Sequence, residues 1–418
     1  MSAALAVVGM APKEISPLVN GAVLEEHASE AGFLWRLRER AIHAPLYRLP
    51  QLALLDARVL AHLEGLRTAG VDGFQQARRK LGEIDAATLF VAAYVAFAGG
   101  DREGMRDAFT IALSDDALID GLVAALAWQS PDAVFGAVSI LGRSRDAIHR
   151  RACLAVYAAH RVDPGSLLTR AVDDPNPKLR ARALRAAGEL GRGDLADALR
   201  RGLSDPEMLC RFWAAWSLAL SGTQYAAQIA YEAGRDDAVL SRGSLEIAMR
   251  AGEPHWAREL IRSLAVDGLS IRQAIQAAGA FGDPAVVPWL LELTTDKVHG
   301  RVAAEAIASI TGADLDLAAL KEDAPKDAEN GHADDASLRW PNPEGLQRWW
   351  QTEHTRFSRG DRYLAGLPLS EQAAFQVLRR GYQRQRRSAA IELARLRKGA
   401  MVFPIAARAD WQQRRLSV

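Results

Sequence analysis

Small and apolar residues recur every three or four positions through most of this chain, and the pattern restarts at intervals. The clearest stretch is DPNPKLRARALRAAGELG, from Asp174 to Gly191. Leu179, Ala183, Ala186, Ala187 and Leu190 follow helical spacing there, and Lys178, Arg182, Arg185 and Glu189 take the other positions. Asp174 and Pro175 supply a helix start, since the carboxylate accepts from unpaired amides and proline lacks an N–H where none is needed. Gly188 and Gly191 are expected to mark its end. One face of such a helix is built to pack closely on neighbouring helices.

Similar stretches are headed by Asp174, Asp205, Asp236 and Asp267, at three successive intervals of 31 residues, with looser members at Asp115 or Asp116, Asp146 and Asp296. A helix restarting at a fixed step is the signature of stacked helical hairpins, each burying its apolar face only against the next. The expected fold is therefore all-α, a right-handed α-solenoid with non-repeat helical caps at both ends. Asp174 precedes Arg180, Asp205 precedes Arg211 and Asp236 precedes Arg242 by six positions, and Asp267 precedes Arg272 by five. This Asp-then-Arg pattern resembles HEAT repeats, and the compact form resembles the short HEAT-like repeats of bacterial proteins. The resemblance implies a structural Asp–Arg ladder linking successive units, for which the fixed donor fork of arginine is suited.

The expected organisation has four parts. Residues 1–84 form an N-terminal helical cap, and residues 85–320 a solenoid of about eight units, an arc on the order of 80 Å at about 10 Å per packed layer. Residues 321–338, with six acidic residues against two lysines over 321–337, read as an acidic linker or exposed loop. Residues 339–418 form a C-terminal module that opens on WPNPEGLQRWW, where Trp349 and Trp350 suit an anchoring role. Its last stretch, from Ser370, holds eleven basic residues against three acidic ones and keeps helical spacing, which predicts a helix with a basic face.

Composition changes this picture little. The 52 basic and 51 acidic residues nearly cancel, so no global field draws the chain onto nucleic acid or an anionic membrane. Cys153 and Cys210 stand alone in different helical stretches, which suits buried apolar roles and no disulfide framework. The opening MSAALAVVGMAPK lacks a basic region and makes a poor signal peptide, and the apolar run Ala86–Ala98 is short for a membrane span. A cytoplasmic location is the resulting expectation. His62 and Glu64 in LLDARVLAHLEGLRTAG are two positions apart on a helix, so they point in different directions and suit packing and surface polarity.

LLDARVLAHLEGLRTAG, the short repeats, the Trp349–Trp350 pair and GYQRQRRSAA together resemble a family of bacterial HEAT-like repeat proteins often encoded near type VI secretion genes. The resemblance implies an accessory or adaptor role, with a secretion component or effector as protein partner, and supplies no catalytic residues or cofactor. The chain contains no GxxxxGKS/T, HExxH, GxSxG or CxxC motif. The expected function is thus a non-enzymatic protein-binding scaffold without metal, cofactor or membrane. Its partner-binding residues are expected to be Arg182, Arg185, Trp213, Glu246, Arg272 and Glu305 on the inner face, and Arg384, Arg386 and Arg387 on the C-terminal helix. Protein or intramolecular contact ranks above nucleic acid for that basic helix. The alternative is a nucleic-acid-binding protein or an enzyme similar to the DNA glycosylases that hold duplex on a concave HEAT-like surface. A lyase or hydroxylase built on histidine and carboxylate clusters ranks last.

Overall fold

The computed structural model describes residues 20–79, 85–324 and 332–417. The opening MSAALAVVGMAPK and the middle of the acidic stretch, residues 325–331, lie outside the described residues. Three helices come first: α1 (Gly21–Ala41), α2 (Leu49–Thr68) and α3 (Val71–Arg79). The chain then alternates between two layers. It passes through α4 (Ala86–Gly99), α5 (Arg102–Ala112), α6 (Ile119–Ala127), α7 (Pro131–Leu141), α8 (Ala147–Ala159), α9 (Ser166–Ala171), α10 (Pro177–Glu189) and α11 (Ala196–Gly202). It continues through α12 (Met208–Leu220), α13 (Gln224–Gly234), α14 (Ser241–Ala251), α15 (Pro254–Val266), α16 (Ile271–Phe281), α17 (Val287–Leu293) and α18 (Gly300–Thr311). The even-numbered helices from α4 to α18 pack on one another in series, and each odd-numbered helix packs on the next even one. The result is an all-α solenoid with an inner, even layer and an outer, odd layer.

Close packing explains the small residues. In α10, Ala181, Ala183, Ala186 and Ala187 are at most 2% exposed, so backbones approach where larger side chains would hold them apart. Gly188 does not end the helix as expected. It lies inside α10, where an added Cβ would fall 2.4 Å from the Ser217 hydroxyl. The start also differs from expectation: Asn176 caps α10 by accepting from the Leu179 amide, and Pro177 holds the first turn. Asp174 instead sets the preceding turn by accepting from the Asn176 amide at 2.9 Å.

The Asp turn recurs with one correction of register. Asp205 accepts from the Glu207 amide, but in the next unit the carboxylate in this role is Asp237, which accepts from Val239 and Leu240. Asp236 is exposed and pairs only with Arg235 at 3.5 Å. Asp267 and Asp296 resume the pattern. Between units, Arg150 reaches Asp174 at 2.9 Å, and Arg180 grips both oxygens of Asp205 at 2.7 and 2.9 Å while donating to the Asp174 carbonyl. Arg211 donates to the Asp205 and Pro206 carbonyls of its own turn. No bond joins Asp236 to Arg242 or Asp267 to Arg272. Arg242 comes within 4.0 Å of Glu305, and Arg272 turns to Asp335.

After α18 come a two-stranded pair, β1 (Lys321–Glu322) with β2 (Trp340–Pro341), then α19 (Pro343–Glu353). A second pair follows, β3 (Tyr363–Leu364) with β4 (Leu367–Pro368), then α20 (Glu371–Arg380), α21 (Gln383–Leu396) and α22 (Ala409–Leu416). Where it is described, the acidic stretch is largely exposed but is pinned at Asp335 and Leu338, which are buried. Asp335 is fully buried and accepts from Arg272 at 2.5 and 2.8 Å, while its carbonyl accepts from Arg301. Trp350 stacks on Phe357 with centroids 5.6 Å apart, beside the core of the last repeats.

The inner helices end along one edge, and residues 362–409 run back across it. Arg362 donates to the Phe281 and Arg250 carbonyls at 2.8 and 3.0 Å. The amides of Tyr363, Ala365, Gly366 and Val402 donate to the carbonyls of Gly282, Ser309, Ile310 and Glu189. Arg408 donates to the Trp128 carbonyl. These are terminal carbonyls of α16, α14, α18, α10 and α6, groups that a helix cannot satisfy internally. Gly282 and Gly312 end α16 and α18 with φ of +87° and +73°, and a Cβ there would meet the Tyr363 and Ala365 carbonyls at 2.4 and 2.6 Å. Only glycine admits both the left-handed turn and the crossing chain.

Three substitutions test this account. Arg180→Ala is expected to lower stability by about 1–3 kcal/mol in urea titration, because Asp205 loses both guanidinium bonds and keeps only the Glu207 amide. Arg200→Ala, which breaks an exposed pair with Asp197, is expected to cost under about 1 kcal/mol, and equal effects would refute a role for the inter-unit bond. Arg362→Met is expected to cost about 3 kcal/mol, since it strips donors from two carbonyls and from the buried Glu392.

Candidate functional site

The nine residues expected to bind a partner are all held by other parts of the same chain. On α10, Arg182 and Arg185 each donate to Glu189 at 2.9 Å. The Arg185 guanidinium lies 4.6 Å from the ring centre of Trp213, on α12, and Trp213 meets Trp216 edge-on at 5.5 Å. On α14, Glu246 accepts from Ser388 at 2.8 Å and pairs with Arg387 at 3.1 Å. Glu305 on α18 takes two bonds of 2.8 Å from Arg384. Arg272 is spent on Asp335.

Arg384, Arg386 and Arg387 follow from how α21 lies. It packs on α12 and α14 of the inner layer, and its basic face meets Glu246 of α14 and Glu305 of α18. Arg384 also donates to the His43 and Asp334 carbonyls, so one side chain joins the N-terminal helices, the last repeat and the acidic stretch. Arg386 is fully buried and donates to the Leu378 carbonyl and to the side-chain oxygens of Gln383 and Gln412. No carboxylate offsets it, and burial pushes its guanidinium down to about 10. The expected basic face open to a partner is, in the structure, an internal contact.

Sequence reasoning missed the groups that matter most at this contact. Glu392 is fully buried on α21 and pairs with Arg362 at 2.8 Å, Arg395 at 2.8 Å and Arg250 at 3.5 Å. Arg38 on α1 donates to Asp56 on α2 and to the Ala407 carbonyl, and Asp56 accepts from the Ala409 amide at 2.7 Å. A signal was present: Glu392 interrupts Ala389, Ala390, Ile391 and Ala394, and a charge inside an apolar face implies a buried partner. His62 and Glu64 do diverge. His62 Nδ1 lies 3.0 Å from His27 Nδ1, and Glu64 pairs with Arg67. Among the described residues, no three His, Cys, Asp or Glu side chains converge on a metal position.

Electrostatics here serve cohesion. Burial alone would raise the Glu189 carboxyl, but Arg182, Arg185 and Arg161 outweigh it and bring it down to about 2. A carboxyl so depressed adds stability above its unfolded value, near 4.3, and loses it as pH falls through its folded value. Glu189→Gln is therefore expected to melt well below the parent at pH 7, with the gap closing between about pH 4.3 and pH 2. A gap unchanged across that interval in calorimetry would contradict the assignment.

Residues 165–250 match the family model for HEAT repeats, a span that includes α10, α12 and α14. No curated protein and no solved structure matches the chain. The family match and the stacked helix pairs together make this an all-α solenoid that carries HEAT-like repeats.

Proposed function

We propose that this chain is a non-enzymatic scaffold that binds protein partners in the cytoplasm, as an accessory to type VI secretion or its effectors. HEAT repeats commonly serve as protein-interaction scaffolds, and the observation that carries the reading is the stack itself. Its helix pairs are tied into one frame by Arg180–Asp205, Arg384–Glu305 and the Glu392 cluster. Such a frame presents surface residues without reorganising, which lowers the cost of association. The secretion setting rests on the resemblance carried by LLDARVLAHLEGLRTAG and GYQRQRRSAA. No described helix is long and apolar enough to cross a membrane.

The nucleic-acid reading is weaker. Phosphate binding needs arginines free to release counterions, whereas Arg384, Arg386 and Arg387 are committed to Glu305, to buried carbonyl oxygens and to Glu246.

Affinity capture of the tagged full chain from its native host, followed by mass spectrometry, tests the choice. A secretion component or effector is expected, recovered in defined proportion and unaffected by nuclease. Recovery of nuclease-sensitive nucleic acid alone, with salt-dependent binding to duplex, would overturn the scaffold reading in favour of the nucleic-acid one.

A further inference from the structure

The turns leading into α14, α16 and α18 share one construction. Asp237 accepts from the Val239 and Leu240 amides at 2.9 Å each, Asp267 from Leu269 at 3.2 Å, and Asp296 from Val298 and His299 at 2.8 and 2.7 Å. A shorter turn occurs earlier, with Asp174 on the Asn176 amide and Asp205 on the Glu207 amide, both 2.9 Å, and there the helix starts one position sooner after the aspartate. The residue two after the aspartate is polar in the two shorter turns, where it is the helix N-cap, and apolar in the next three, where it precedes the N-cap. The carboxylate binds the backbone amide of that residue and not its side chain, so the turn does not require Val, Leu and Val.

Nor does the core require them. Val239 is 87% exposed, Leu269 97% and Val298 46%, and Val266, beside the Leu269 turn, is 89% exposed. Exposed apolar residues scattered singly need no explanation. A row at equivalent positions of three successive repeats does. The amide of each turn residue is fixed by its aspartate, so the row is preorganised and costs little to order on binding.

The border of the row is acidic. The three turns contain Asp236, Asp237, Asp267 and Asp296 against Arg235 and Lys297. The caps also occupy amides at the starts of the inner helices, which leaves those ends little capacity for an anion. Spacing narrows the occupant further. Stacked helices lie about 10 Å apart. An α-helix places residues i and i+7 about 10.5 Å apart on one face, whereas the same face of a strand offers about 6.6 or 13 Å.

We propose that Val239, Val266, Leu269 and Val298, with the carboxylates around them, form the docking surface for a basic amphipathic helix of a partner protein, which rests on the scaffold reading above. The partner presents large apolar side chains at every seventh position, seated on Val239, Leu269 and Val298 in turn. Lysines or arginines beside them reach Asp236, Asp267 and Asp296. The opposite edge, where the inner helices end, is closed by residues 362–409, whereas Val239, Val266 and Leu269 are 87%, 89% and 97% exposed.

A synthetic peptide of about three heptads, with leucine at every seventh position and lysine beside each leucine, is the probe, and fluorescence anisotropy with the full chain is the readout. The control replaces each lysine by glutamate. The test variant, Val239→Asn with Leu269→Asn, changes two exposed side chains whose turns are held through the backbone amides, so its melting is expected to match the parent. Binding of the lysine peptide is expected, weakened at least about tenfold by the double substitution and by the acidic control. Failure of the lysine peptide to bind, or equal binding by the variant or the acidic peptide, refutes the proposal. A parent dimer that the double substitution dissociates in sedimentation would assign the row to a second copy of the chain and also overturn it. If the captured native partner remains on the variant, the scaffold reading survives and this surface does not.

Discussion

Terminal carbonyls of the inner helices are the constraint on which this molecule depends. Because the even helices end on one edge, their unsatisfied acceptors and the negative ends of their dipoles accumulate there. A row of such groups must be solvated or given donors. Residues 362–409 supply them, from backbone amides at Tyr363, Ala365, Gly366 and Val402 and from the guanidinium groups of Arg362 and Arg408. The local basic excess of the C-terminal stretch is therefore matched within the fold. A chain with 52 basic and 51 acidic residues can nearly balance overall and still carry a basic tail, since the two signs meet across the inner layer.

The repeat was legible because its chemistry is local. An aspartate that accepts from the amide two residues on acts within one turn, and alanines at helical spacing act within one helix. The errors of detail are also local. Asp236 and Asp237 offer the turn two adjacent carboxylates, and spacing alone selects the first while the amides of Val239 and Leu240 select the second. Asn176-Pro177 repeats the helix-start signal of Asp174-Pro175, and the later one caps α10.

What was not legible is which polar surfaces face each other. Helical periodicity identifies the polar side of α21 but is silent on whether that side meets water or the polar side of α14. Arg387 with Glu246 and Arg384 with Glu305 settle the matter over separations of 141 and 79 positions, read from the numbering. A pair of buried opposite charges adds little net stability compared with apolar contact, but either charge left alone is strongly destabilising. The contact therefore specifies one arrangement of the tail without leaving a hydrophobic mark in the sequence. Asp335 behaves alike: an acidic stretch reads as solvated until Arg272 and Arg301 enclose one of its members.

That division of labour also decides where variation is cheap. Inner-face residues such as Arg182, Arg185 and Glu246 are each tied to a partner, so changing one strands another. The second position after Asp237, Asp267 and Asp296 is free of such ties, because the carboxylate binds the amide and not the side chain. Val239, Leu269 and Val298 occupy that position, each held through its backbone amide. A solenoid sealed along the ends of its inner helices can thus alter what it recognises at its turns, where a new side chain changes the surface and leaves the frame intact.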